Sequence, residues 1–501
     1  MDASTPRRGS SSPPANHLLE ESILPTWLNQ RPISLLGFVW IWVGLAIVIV
    51  TFQYGANGVE GGLSLPTVML IVLAATMTLS VIMTLTADIG TEHGLSFAVF
   101  LRAPFGTVGT HVPSVSRGIV AACWFGIQTY LGALAINGLV EYWTGFASWP
   151  LWYALFLVVQ IVNVALGIKA IERLASVAAP CILAVSLWMY YTLDGIADLE
   201  GSNIWTFASG GDLSLVAFFL INMVVWAPLA VDIPSITRFI RTVPGERRFL
   251  RRNRNVLVAQ FVALPLMQAW ISFIGAVSFI VTGDWNPIDV IQGQSTGFVL
   301  GILLVMIILA QWSTNTAANV VPAALNFVNA AAPHLSYRSG VVLAGVVGTA
   351  VMPWLLQDNL FTFLSYYGGF IAAIAGIMVC DYYVLRRRRL NVPALYDPQG
   401  QYRYASGFNP AALIAWFGAS GAALWQPDYA YVIGFPVAFA AYLLLMRTWI
   451  LRRHPQAEID DPGDTYLATS VGRSWVYDAE TRTFSRRTVD ELPGKGDRAD
   501  I

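Results

Sequence analysis

FFLINMVVWAPLAVDIPSITRF, residues 218–239, reads as an apolar helix interrupted from within. It continues an uncharged run that starts near residue 213 and reaches Val231, close to the roughly 20 apolar residues a helix needs to cross a bilayer. Pro228 and Pro234 each remove an amide donor and crowd the carbonyl four residues back, so this span is expected to kink or unwind near Trp226. Carbonyls freed at membrane depth are tolerated only where protein or a cavity satisfies them. The stretch alone leaves open whether its kink serves a site or only the packing.

The rest of the chain has the same solvent. Of its 501 residues 56% are hydrophobic and 12% charged, where a soluble domain has about a quarter charged. Twelve stretches qualify as spans: 34–53, 63–86, 118–140, 150–168, 174–193, 213–231, 256–281, 297–330, 339–356, 360–385, 409–426 and 430–450. The loops between them test that count. One alternate set carries Arg102 and Arg117, Lys169 and Arg173, Arg238, Arg241 and ERRFLRRNRN, Arg338, and the RRRR run at 386–389; the other set holds only acids and neutral residues. Lys and Arg collect on the cytosolic side, so both termini are expected there, in the cell membrane. The basic runs are read as topology determinants beside anionic headgroups, not as nucleic-acid sites. The Pro/Ser-rich start is a tail without the apolar core of a signal peptide. Cys123, Cys181 and Cys380 fall in apolar runs without ligand spacing and read as packed thiols.

Within these limits the spans hold essentially no ionisable side chain: Asp88, Glu141, Asp232 and Asp381 fall at span ends and the five histidines in loops or tails. A charged passenger or a proton relay would call for ionisable groups at depth. A charge-free core therefore points to a neutral substrate, coupled, if at all, to an ion that oxygen dipoles can hold. Sodium fits that description; a proton carried by a span-end acid stays open.

Two further spans concentrate polar groups. In RGIVAACWFGIQTYLG, Trp124 and Gln128 lie four apart and share a helix face. A flat aromatic beside an amide outlines a heterocycle site, although a packed Trp and an interhelical hydrogen bond would use the same residues. In LAQWSTNTAANVVPAALNF, Ala310, Ser313 and Thr314 share one face, and Asn315 and Asn319 another. So many polar groups are too costly to turn toward lipid and must line a site or an interface. Gly44, inside the first span, reads as a packing position rather than a break.

At these residues the sequence resembles the nucleobase:cation symporter family, the carriers of nucleobases, hydantoins and allantoin. The resemblance spans about residues 21–450. It rests on ILP...RPIS before the first span, HGLSFAVFLRAPFGTVGTHVPSVSRGIVAACWFGIQTYLG, WAPLAVDIPSITRF, WSTNTAAN and CDYYVLRRRRLNVPALYD. It implies a leucine-transporter-like fold: an all-α bundle of twelve transmembrane helices in which two inverted repeats of five, 34–193 and 213–385, are followed by two peripheral helices at 409–450. It further implies a substrate ring between Trp124 and Trp226, beside Val225, with Gln128, Asn319 and Asn315 supplying amides. A sodium site would use the carbonyls of Gly44, Ile47 and Ala310 and the hydroxyls of Ser313 and Thr314. Two positions depart from the hydantoin carriers: Val48 stands where they have Gln, and Val225 where they have Gly.

The expectation is thus a secondary active transporter, not an enzyme, that imports a small neutral heterocycle by cation symport with alternating access. An amino-acid or other small-solute carrier on the same fold, or a proton-coupled permease, is the alternative; GLAIV offers no Gly-rich break to receive a carboxylate. The partners are the substrate, a sodium ion or proton and the bilayer, with no further cofactor and no nucleic acid, and the monomer as the working unit. Residues 1–30 and 451–501 are cytosolic tails, the second with a candidate hairpin in VYDAETRTFSRR.

Overall fold

The computed structural model describes residues 18–492 except 47, 166–167, 202, 208, 332–333 and 358. Helix occupies every expected span. Seven spans are single helices long and apolar enough to cross a membrane: Leu65–His93, His111–Thr144, Pro180–Glu200, Arg254–Thr282, Gly297–Ala331, Leu360–Leu385 and Pro427–Arg453. The first span is a bent pair that passes the same test, and Trp149–Ala165, Leu215–Val224 and Pro410–Leu424 are shorter apolar helices. The ninth expected stretch carries Tyr337–Ala350, followed by Pro353–Gln357. Length and hydropathy alone therefore certify fewer than twelve crossings, although all twelve stretches are helical.

The sixth span is interrupted where its prolines require it. Helix ends at Val224 and resumes at Ala227, with Trp226 at φ −97°, ψ −4° between the two pieces. Pro234 has no amide to offer the carbonyl of Ala230, and the hydroxyl of Thr86, from the second span, reaches that oxygen at 2.5 Å.

The first span departs from expectation. It consists of Leu35–Ala46 and Ile49–Glu60, bent by 57°, where the sequence reading had one helix. Neither proline nor glycine stands at the break. The Thr51 hydroxyl donates to the carbonyl of Ala46 at 2.9 Å, so tertiary and capping bonds hold what the local sequence does not announce. Gly44 itself stays helical, and a Cβ there would come no closer than 3.9 Å to another residue, the Ser313 hydroxyl.

Packing sorts the spans into two groups. The second half of the first span lies against the seventh so closely that a Cβ on Gly55 would sit 1.7 Å from the carbonyl of Ser272, and one on Gly275 2.0 Å from that of Phe52. The second span packs on the sixth and seventh, and the third on the fourth, eighth and ninth. On the outer surface large apolar side chains such as Leu70, Val158, Phe298 and Phe417 are exposed. A belt of this kind suits lipid as solvent.

The arginine-bearing end is built differently from the expectation of headgroup-facing charges. Arg252, from the ERRFLRRNRN run, is buried against Asp88 and Glu92. Arg386 is buried between Asp381 and Glu458. His93 is buried in the last turn of the second span and His111 opens the third, so neither lies in a loop as expected. The C-terminal segment folds back onto this end. Its antiparallel hairpin pairs Arg473–Asp478 with Thr483–Thr488, and Glu92 accepts from the Ala468 amide at 2.9 Å and the Ser470 hydroxyl at 2.6 Å.

Candidate functional site

A cavity opens where the two interrupted spans meet the third and eighth. It is narrow, about 50 Å³, and its walls include Leu45, Val48 and Val50 from the first span, Trp124 and Gln128 from the third, Val225, Trp226, Pro228 and Leu229 from the sixth, and Thr314, Ala318 and Asn319 from the eighth. Four residues singled out in the sequence for substrate, Trp124, Gln128, Trp226 and Asn319, thus line one space, together with Val225. The breaks explain the aperture. Each replaces a helical turn with extended or capping backbone, as at Val48 with φ −115° and ψ 150°, and so leaves room between helices that otherwise touch.

The two indoles are fixed from behind. Trp124 donates to the Tyr367 hydroxyl at 3.4 Å and Trp226 to the Gln268 side-chain oxygen at 3.2 Å. Trp42 of the first span packs edge-on against Trp226, with ring centroids 6.0 Å apart. With their polar atoms satisfied in the wall, both rings offer apolar faces. Gln128 is buried, and its Oε1 has no protein partner. An unpaired buried acceptor of this kind calls for a donor on whatever enters.

Asn315 does not line the cavity and stands one layer behind it. Its amide nitrogen donates to the Phe125 carbonyl at 3.0 Å, the Thr129 hydroxyl at 3.1 Å and the Gln160 side chain at 2.8 Å, and its oxygen accepts from Asn319 at 2.8 Å. Its nitrogen is spent on the third and fourth spans and its oxygen holds Asn319, so it stands behind that residue. That residue sits in a π-helical turn, Thr316–Val320, just before Pro322. The wider turn relieves the crowding a proline imposes on the preceding turn and moves Asn319 off the regular helical path.

Of the residues expected to hold an ion, Gly44, Ser313 and Thr314 come together at this cavity, where Thr314 is also a wall residue. The Thr314 hydroxyl donates to the carbonyl of Gly44 at 2.5 Å, and Ala310 and Ser313 are buried on the same helical face. Ile47 lies outside the described residues. The set consists of neutral oxygens alone, the donor chemistry that suits a hard monovalent cation.

One wall residue was missed from sequence. Arg117 reads as a loop charge when the third span starts at residue 118, whereas the helix begins at His111. It is buried on the cavity wall, 3.4 Å from Asp232. The expectation of a charge-free core is therefore corrected: a charged side chain lines the cavity, paired with a buried acid. Spacing held the signal, because Arg117, Trp124 and Gln128 recur at seven and eleven residues, one stripe of a helix.

Known proteins carry the same architecture. The profile of a family described as permeases for cytosine/purines, uracil, thiamine and allantoin matches residues 26–451. A hydantoin permease of Microbacterium maritypicum is 30% identical over 464 residues, covering 90% of this chain and 94% of the relative. An allantoin permease of Bacillus subtilis is 26% identical over 490 residues, covering 89% and 95%. Among solved structures, a nucleobase-cation-symport-1 family transporter in a closed conformation with bromovinylhydantoin bound superposes with a TM-score of 0.83 at 28% identity, over 90% of this chain and all of that one. A Na+-coupled sialic acid symporter shares the fold at a TM-score of 0.59 and 12% identity, over 85% of this chain and 92% of that one. The overall fold is thus shared with known transporters, and the chain belongs to the family of permeases for cytosine and purines, uracil, thiamine and allantoin.

Proposed function

We propose that this permease imports a small neutral heterocycle of the nucleobase, hydantoin or allantoin type, by symport with a cation and alternating access, with both termini in the cytosol. The observation that carries the reading is the pairing of two wall-anchored indoles, Trp124 and Trp226, with the amides of Gln128 and Asn319 around one cavity. Planar rings gain from aromatic faces, and amides match an adjacent C=O and N–H without needing charge. The unpaired oxygen of Gln128 suits a ring N–H. The bound hydantoin of the similar closed structure supports the same class.

Sodium is the proposed co-substrate, held by the Gly44, Ile47 and Ala310 carbonyls and the Ser313 and Thr314 hydroxyls. An ion there would tie the first span to the eighth, hence one packing group to the other. Its binding would favour substrate entry, and substrate would favour the ion to the same degree. The two groups, one around the first, second, sixth and seventh spans and one around the third, fourth, eighth and ninth, suit a rocking motion about the shared cavity. The repeat boundaries 34–193 and 213–385 belong to the same proposal. A proton-coupled permease is the second reading, favoured by one observation: the buried carboxylate of Asp232 pairs with Arg117, which lines the cavity.

The test is uptake of labelled uracil, cytosine, hypoxanthine, allantoin and hydantoin into proteoliposomes, with and without an inward sodium gradient. Uptake of one of these, raised by the gradient, is expected. Stimulation by an inward proton gradient alone would select the second reading, and no uptake of any of the five would overturn the substrate class.

A further inference from the structure

Arg117 is the one charged residue among those described on the cavity wall, and it is under-used by the protein. Its Nε donates to the carbonyl of Pro228 at 3.0 Å and faces Asp232 at 3.4 Å. Among the described residues no hydrogen bond reaches either Nη, although Nη1 is buried. A guanidinium has five donors, and burying them unpaired is costly. Asp232 is better served: Ser235 donates to its Oδ1 at 2.6 Å and Asn326 to its Oδ2 at 3.2 Å. The pair is therefore neutral overall and anchored through its acid, with spare donors on its base.

Position gives those donors a meaning. Arg117 stands seven residues before Trp124 on the same stripe of the third span, two turns nearer the arginine-bearing end, and both side chains line the one cavity. A ring held at Trp124 and Gln128 would thus have Arg117 on its side toward the arginine-bearing end, where a substituent extending from the ring would meet it. A carboxylate there would meet the negative charge of Asp232 within a few ångströms, so an uncharged acceptor fits better.

We propose that Arg117 forms a second recognition point in this cavity, for a neutral carbonyl on a side chain of the heterocycle, such as a ureido or carboxamide group. The inference rests on the substrate class proposed above and adds that ring and substituent are read by different residues. Allantoin, a hydantoin ring with a ureido group at C5, has this form; hydantoin has the ring alone, and hydantoin-5-acetic acid carries a charged substituent.

The experiment is equilibrium binding of these three compounds to the purified full-length protein. Wild type is expected to bind allantoin about tenfold or more tightly than hydantoin, the gain of a charge-assisted hydrogen bond, and to bind the acetic acid no better than hydantoin. Arg117→Lys keeps a charge opposite Asp232 but loses the fork, and Arg117→Gln with Asp232→Asn removes both charges and leaves no buried ion unpaired. In each the ratio of hydantoin to allantoin dissociation constants should fall toward one. A ratio unchanged in either variant, with a wild-type elution profile, would overturn the proposal, as would a wild-type protein that prefers the acetic acid. Binding of nucleobases but none of the three would overturn it while sparing the broader class; no binding of any heterocycle would sink both.

Discussion

The Thr314 hydroxyl donates to the Gly44 carbonyl at 2.5 Å, joining the eighth span to the first beside the break in the latter. If these two oxygens serve a coupling ion, Thr314→Ala should lower the sodium stimulation of uptake about tenfold while changing sodium-free substrate binding little, and Thr314→Ser should retain it. Uptake measured across a sodium series checks this. Equal loss of stimulated and sodium-free activity would count against an ion role.

Asn315 ties the eighth span to the third, through Phe125 and Thr129, and to the fourth, through Gln160, and its oxygen accepts from Asn319. Asn315→Ala would leave the buried Gln160 oxygen and Asn319 amide without the partners they have here, at about 1–3 kcal/mol each. The thermal midpoint in detergent should drop by several degrees, and substrate affinity should weaken as well. A variant with native stability and weakened binding would instead place Asn315 at the substrate.

Thr86 satisfies the Ala230 carbonyl that Pro234 cannot. Thr86→Ala should cost about 1–3 kcal/mol in the wild-type background and less in Pro234→Ala, where the restored amide can serve that carbonyl. A double-mutant cycle on thermal stability measures the coupling. Strict additivity would mean the hydroxyl is not replacing the missing donor.

The C-terminal segment brings Glu458 into a buried cluster where Arg386 also meets Asp381 and the Tyr442 hydroxyl donates to Asp381 at 2.7 Å. Breaking a buried pair costs about 3–5 kcal/mol when a partner is left uncompensated. Arg386 keeps Asp381, so Glu458→Gln should fall toward the lower figure. Limited proteolysis should then release the segment after residue 455 faster than in wild type. Identical digestion would show that the segment docks without this contact.

The legibility of this fold follows from where each cause resides. The sixth-span break was readable because Pro228 and Pro234 are local and covalent. The first-span break was not, because bonds such as Thr314 to Gly44 and Thr51 to Ala46 set it, one of them 270 residues away in sequence. Trp124, Gln128 and Asn319 stand out as polar and aromatic groups in apolar runs, whereas Trp226 marks the kink and gains its place at the substrate only from the family resemblance. Arg117 was passed over because charge was used to place the helix start, which hid the stripe it shares with Trp124. Asn315 was placed at the site rather than behind it, since sequence shows that two asparagines share a face but not which one the neighbouring helices engage. The buried ion pairs at the arginine-bearing end were unreadable for the same reason: loop charge reveals topology, and only the fold shows which arginines have acids to meet.

The central claim is that a heterocycle binds between Trp124 and Trp226. Equilibrium binding of the best-transported compound of the five-member panel to purified wild-type, Trp124→Phe and Trp124→Ala protein tests it most directly. Binding should be weakened in Trp124→Phe and undetectable in Trp124→Ala, with both variants eluting as wild type. Undiminished binding by Trp124→Ala would contradict it.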